Sequence, residues 1–242
     1  MERPAYPCKK GNESASQDDF IKDIHKYCDR WCKRCRLSSL CRYYSLGVDQ
    51  KGMDSEDPRN LTDYYNGTIL LNKAMAVEML TDRPVAKGDV QEPKEHFQDP
   101  LIVHARRISL EIHQWFQAFP DGKGDKRIKQ LRQLSAGKKR CMDALESICY
   151  YPFLMVVKLE KAVISSKNKF NHSDTYANSK GSAKTALIAI DKTVEAMAVI
   201  IKEHPVHEDM ILDFMIKLSK IVSKTEKRFP DSMNFIRPGL DE

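Results

Sequence analysis

Apolar residues recur every three or four positions through the second half of the chain, which is the period of an amphipathic α-helix. This pattern predicts four long helices over about 99–119, 131–166, 182–203 and 205–228. Runs that alternate apolar and polar residues are nearly absent, so the pattern gives almost no support for strands. We therefore predict an all-α protein in which these four helices, joined by short connections, form an up-down four-helix bundle over 99–228.

The ends of two predicted helices carry recognisable signals. Asp99 is a suitable N-cap, Pro100 suits the first helical position, and Pro120 ends the first helix. Pro205 follows His204 and opens the fourth helix. The residues that we expect in the core repeat along one face of each helix: Leu101, Ala105, Ile108, Ile112, Phe116 and Phe119; Leu145, Ile148, Met155, Leu159 and Ala162; Ala186, Ile190, Val194, Met197 and Ile201; and Ile211, Phe214, Leu218 and Ile221.

Ahead of the bundle the apolar pattern is shorter and more often interrupted. Phe20, Ile24, Tyr27 and Trp31 are spaced as one face of a helix, which predicts a helix over 17–36. The remaining divisions follow from composition: a polar, disordered tail over 1–15, an N-terminal helical segment over 16–81 with further helices near 39–46 and 61–81, a charged linker over 82–98, and a C-terminal tail over 229–242 that we expect to extend over the surface.

Composition is typical of soluble globular proteins, since 31% of the 242 residues are charged and 41% are hydrophobic. No apolar run approaches the ~20 residues that cross a membrane, and the first residues lack the apolar stretch of a signal peptide. We therefore expect a cytoplasmic protein in a reducing compartment, with no membrane partner. The net charge of +6 is not gathered into a long basic stripe, so nucleic acid is not favoured as a partner.

Four cysteines lie close together near the N-terminus. Cys28, Cys32, Cys35 and Cys41 have the spacing C-x3-C-x2-C-x5-C. On one continuous helix the first three would project from a single face, with the fourth after a short break. In a reducing compartment such clusters more often bind metal than form disulfides. Four soft thiolate ligands suit zinc or an iron–sulfur cluster, so we predict a metal site made of these four residues.

The spacing favours an iron–sulfur cluster, with 4Fe–4S in first place, over zinc. A cubane takes three ligands from a compact segment and a fourth nearby, whereas zinc ligands usually come as two separated pairs and only one C-x2-C is present here. The alternative without metal is a helix whose free thiols pack in the core as small apolar side chains. His25, one turn before Cys28, is a candidate hydrogen-bond donor to the site. The basic residues between the cysteines would offset the charge of a thiolate centre or bind an acidic partner.

A second metal or catalytic site within the bundle is an alternative that the sequence leaves open. A ferritin-like di-iron site needs inward carboxylates and Glu-x-x-His pairs, and no Glu-x-x-His occurs here. Glu146 has largely apolar helical neighbours, which makes it a candidate buried carboxylate. His104 and Glu111 lie on one side of the first bundle helix. The chain has no phosphate-binding glycine loop, no Gly-x-Ser-x-Gly and no His-Glu-x-x-His, so no catalytic residue is predicted.

Three segments, at both ends and in the middle of the chain, carry a wider resemblance. They are the CDRWCxRC string over 28–35, the GSAKxALIAID string over 181–191 and the FxRPG string over 235–239. Together they resemble a family of uncharacterised bacterial all-α proteins that have this N-terminal cysteine cluster. The resemblance implies that the cluster is part of one coherent protein, and it implies no activity.

We therefore predict a metal-binding protein, with an iron–sulfur protein for electron transfer or redox sensing in first place. One alternative is a zinc-stabilised helical protein-interaction module. A second alternative is a metal-dependent oxidoreductase with a site in the helical bundle, so whether the protein is an enzyme stays open. The expected partners are a protein or redox partner, or a second copy of the chain in a homo-oligomer.

Overall fold

The computed structural model describes residues 20–45, 98–116, 138–167 and 172–241. Within these ranges the chain forms helices and turns and no strand, which confirms the all-α prediction. The predictions for the tail over 1–15, the helix near 61–81 and most of the linker over 82–98 fall outside the described residues. The described α-helices are α1 (Ile24–Tyr27), α2 (Arg42–Ser45), α3 (Pro100–Phe116), α4 (Lys139–Lys167), α5 (His172–Glu203) and α6 (Glu208–Arg228).

The described residues divide into two compact units. One contains residues 20–45 together with 237–241, and we refer to it as the N-terminal unit. The other contains α3, α4, α5 and α6 and ends at residue 236, and we refer to it as the helical unit. The last residues of the chain therefore belong with its first described residues rather than with the long helices.

The start of α3 follows the predicted capping signal. The backbone N–H of Leu101 donates to Oδ1 of Asp99 at 3.1 Å, which satisfies one of the donors left over in the first helical turn. The carboxylate of Asp99 also accepts two hydrogen bonds of 2.7 Å from Nη1 of Arg228, the last residue of α6. The Asp99 side chain thus fixes the beginning of one helix and the end of another.

Two of the other helices begin differently from the prediction. α5 begins at His172 rather than near 182, because the helix continues through Gly181, a residue that weakens a helix interior without breaking it. Pro205 opens a 3₁₀ turn over Pro205–His207, and α6 follows from Glu208. α4 is described from Lys139, so the first part of the predicted helix over 131–166 lies outside the described residues.

The core of the helical unit forms where the apolar faces meet. α4 packs against α3 and α5, and α6 packs against the same two helices. Of the predicted core positions, Val194 and Ile201 are only half-buried, and the side chains of Phe116 and Phe119 lie outside the description; the others are buried as predicted. The largest fully buried side chains are Ile102, Ile108, Ile112, Ile148, Met155, Leu159, Ile190, Met197 and Ile200.

Among the described helices, none is both long and apolar enough to cross a membrane.

Candidate metal centre

The cysteine segment is a series of short turns, so the predicted helix over 17–36 is wrong in its described part. α1 has four residues, and the backbone is extended at Cys28 directly after it. Asp23 and Arg30 have φ angles of 61° and 57°, whereas a right-handed helix needs about −63° at every position. The Asp29 side chain accepts a hydrogen bond from the backbone N–H of Trp31 at 3.1 Å, a local bond that competes with helix formation.

Each cysteine of the cluster lies at the beginning or the end of a short turn or helix. Cys32 begins a 3₁₀ turn over Cys32–Arg34, and Cys35 follows it with an extended backbone. A second 3₁₀ turn, Ser38–Leu40, ends at Cys41, which is also extended, and α2 starts at the next residue. The expectation that the first three thiols share one helix face is therefore wrong, because no continuous helix joins them.

The four cysteines are half-buried and form no disulfide, and local hydrogen bonds involve the sulfurs of Cys28 and Cys35. The Cys28 thiol lies 3.7 Å from the backbone carbonyl of His25, to which it donates. The Cys35 sulfur accepts a hydrogen bond from the backbone N–H of Leu37 at 3.4 Å. An N–H bond to a cysteine sulfur stabilises its thiolate, and such bonds are one means by which proteins tune sulfur-ligated metals.

The electrostatic surroundings of Cys35 show that other charged groups lie near its sulfur. Burial raises the pKa of the Cys35 thiol, and the Leu37 N–H acts in the opposite direction. Asp29 and the Cys41 thiol also raise this pKa, while Arg36 lowers it. The net effect is a raised pKa, so the thiol keeps its proton more firmly than an exposed cysteine, and a metal ion would have to displace that proton.

The described part of the predicted C-terminal tail forms turns and is not extended. Residues 232–234, in the helical unit, form a 3₁₀ turn. Residues 237–241, in the N-terminal unit, form a second turn in which the N–H groups of Leu240 and Asp241 donate to the carbonyl of Arg237. The Asp241 carboxylate accepts hydrogen bonds from the backbone N–H and the guanidinium of Arg237 at 2.7–3.1 Å. The Arg-Pro-Gly string was the available sequence signal, since Pro and Gly favour turns.

The second candidate site, which the sequence predicts from His104, Glu111 and Glu146, has different surroundings from those expected. Glu146 is exposed, so its predicted burial is wrong. Glu111 accepts a hydrogen bond of 2.8 Å from Nζ of Lys217 on α6. Burial lowers the pKa of His104, and the cations Lys224, Arg107 and Lys220 lower it further. Cationic surroundings of this kind oppose the binding of a metal cation.

Within the described ranges, no group of three or more His, Cys, Asp or Glu side chains is arranged to hold a metal ion. The metal site at Cys28, Cys32, Cys35 and Cys41 therefore stays a prediction, and so does its cofactor. Comparison of the chain with protein-family models, with curated proteins and with solved structures gave no match.

Proposed function

We propose that the protein binds a metal centre through the thiols of Cys28, Cys32, Cys35 and Cys41, and that this centre is an iron–sulfur cluster used in electron transfer or redox sensing. In this proposal α3, α4, α5 and α6 form an up-down four-helix bundle. The packing of α4 and α6 against both α3 and α5 supports that arrangement, because each helix of such a bundle has two neighbours.

The small number of buried apolar side chains in the described part of the N-terminal unit is the observation that carries the proposal. Ile24 and Tyr27 are the two buried apolar side chains there, and residues 20–45 form two four-residue helices and two 3₁₀ turns. A disulfide or a metal can stabilise a segment with so few buried apolar side chains. The described cysteines form no disulfide, so metal is the stabilising element that this donor set can supply.

The turns that carry the cysteines suit a sulfur-ligated centre that metal binding would assemble, because in the described ranges no three potential ligands are already arranged to hold a metal ion. A series of turns lets a chain direct successive cysteines toward one point, which a rigid helix does less well for four ligands. The Cys41 thiol is one of the groups that raise the pKa of the Cys35 thiol, as expected for two sulfurs that lie near one another. Once metal replaces the thiol protons, the negative charge that develops on the sulfurs is offset by nearby cations such as Arg36.

A role in electron transfer is supported by the exposure of this segment. The thiols are half-buried, and Arg34, Arg36 and Arg42 are exposed around them. The guanidinium of Arg34 lies 4.3 Å from the ring centre of Trp31, which holds that cation beside the cysteine segment. A half-buried centre with a basic surround suits brief contact with an acidic redox partner, because complementary charge raises association rates.

Replacement of individual cysteines tests the ligand assignment. We expect Cys28→Ser, Cys32→Ser, Cys35→Ser and Cys41→Ser each to lower the metal content per chain of anaerobically purified protein. Cys149→Ser is the matched control, since Cys149 is a half-buried cysteine of α4 that lies outside the cluster and forms no disulfide. Full metal content in all four cluster variants would contradict the assignment.

The same measurement distinguishes the alternatives. Zinc without acid-labile sulfide, lost in the cluster variants, would support the zinc-stabilised interaction module instead of the iron–sulfur protein. Metal that persists when all four cysteines are replaced together would place the site elsewhere in the chain, as the metal-dependent oxidoreductase alternative requires.

A further inference from the structure

The turn at the end of the chain packs against Ile21, a residue of the same compact unit that precedes the cysteines. Gly239 has a φ of +67°, a conformation that is costly for residues with a side chain. A Cβ atom at this position would lie 2.6 Å from Cδ1 and 3.0 Å from Cγ2 of Ile21. Two separate features therefore favour glycine here, the left-handed backbone conformation and the close approach to Ile21.

Ile21 connects this contact to one of the cysteines. The backbone N–H of Ile21 donates to the carbonyl of Leu40 at 2.9 Å, and Leu40 precedes Cys41. The Cys41 N–H in turn donates to the carbonyl of Ser38 at 3.2 Å, which completes the turn in which Cys41 lies. An added methyl group would force Ile21 to shift, and the part of that shift that rotation of its Cδ1 end does not absorb would act on the backbone that leads into Cys41.

The terminal turn has its own means of keeping its shape. The side chains of Arg237 and Asp241 form an ion pair in which they are only 14% and 18% exposed. The Asp241 carboxylate also accepts a hydrogen bond of 2.9 Å from the backbone N–H of Arg237. These bonds close the turn around Gly239, so the position of Gly239 against Ile21 is set by the turn itself.

We propose that the terminal turn, residues 237–241, is a positioning element of the cysteine metal site, in which Gly239 fixes Ile21 and thereby Cys41. This inference rests on the proposed metal-binding function and adds residues that supply no ligand. Groups that orient metal ligands typically change metal affinity by about 10–100-fold when they are replaced. We expect an effect of that order from Gly239→Ala, with a smaller effect from Asp241→Asn.

The experiment measures the rate at which full-length protein, purified anaerobically with its metal, releases that metal to an excess of chelator. Release from Gly239→Ala should be about 10–100-fold faster than from the unchanged protein. Ile236→Ala is the matched control, because Ile236 is 66% exposed and belongs to the helical unit. Adding Ile21→Val to Gly239→Ala removes Cδ1, the atom approached most closely, and should restore part of the slow release.

The outcomes separate the two proposals. An unchanged protein that holds no metal would overturn the proposed function and this inference with it. Metal in the unchanged protein with equal release rates from Gly239→Ala and Ile236→Ala would overturn the inference alone. Far-UV circular dichroism of each variant establishes that the long helices are intact, and Asp241→Asn provides the release measurement if Gly239→Ala does not fold.

Discussion

Replacing Glu160 with alanine should destabilise the helical unit by about 3 kcal/mol, because it removes the carboxylate that pairs with the buried guanidinium of Arg106. Arg106 is 4% exposed and Glu160 is 14% exposed, and Nε of Arg106 donates to Oε1 of Glu160 at 2.9 Å. The loss of one partner from a buried pair costs about 3–5 kcal/mol. We expect the lower end, since the residual exposure of Glu160 lets water approach the space that the side chain leaves.

The assay is thermal or urea unfolding followed by circular dichroism. For a unit of this size, about 3 kcal/mol corresponds to a fall in Tm of roughly 6–12 °C. The double replacement Arg106→Met with Glu160→Met removes both charges and should return most of the lost stability, because a buried pair is often matched by apolar residues of similar volume.

The exposed ion pair between Lys138 and Glu203 provides the control. Its Nζ–Oε2 distance is 3.0 Å, but the two side chains are 54% and 33% exposed. Glu203→Ala should leave the free energy of unfolding unchanged within error, as is usual for surface pairs. If Glu160→Ala lowers the free energy of unfolding no more than Glu203→Ala does, burial does not increase the contribution of the Arg106–Glu160 pair to stability.

Three further replacements have defined outcomes. Because the pKa of His104 is lowered from 6.5, the unfolded chain binds a proton more readily than the folded chain. The free energy of unfolding therefore decreases as the pH falls from the pKa of His104 in the unfolded chain to its pKa in the folded chain. His104→Gln removes this titration and should reduce the loss of Tm between about pH 7.5 and about pH 5. Asp99→Ala removes the cap of α3 and the pair with Arg228, and should cost about 2 kcal/mol in urea unfolding. Met197→Ala should cost about 2–5 kcal/mol in the same assay, since Met197 is fully buried.

The helices of the helical unit could be predicted because burial on one face imposes a period on the sequence. Ile108 and Ile112, four residues apart on α3, are both buried for this reason. The beginning of α5 was missed because residues before Gly181 are mostly polar and lack an apolar period. The capping of α3 by Asp99 was recognised because the N-cap signal is local.

The cysteine segment could not be predicted in the same way. Ile24 and Tyr27 are three residues apart, a spacing that fits a single turn as well as a long helix. The bond from Trp31 to the Asp29 side chain gives the backbone an alternative to helical hydrogen bonding, and apolar periodicity does not report it. The cysteine spacing gave the candidate ligands, but their positions depend on these turns.

Gly239 and Ile21 lie far apart in the sequence, so no pattern within one segment predicts the contact between them. The FxRPG string marked the position only through a resemblance. The structure adds the physical requirement, which is a residue without a side chain in a left-handed conformation.

The most direct test of the metal centre is the amount of iron, zinc and acid-labile sulfide per chain in protein purified without oxygen, together with its visible absorption spectrum. We expect iron and sulfide in matching amounts, near four of each per chain for a 4Fe–4S cluster, with visible absorption that is lost in the variants of Cys28, Cys32, Cys35 and Cys41. Folded protein that contains neither iron nor zinc would contradict the proposed metal centre.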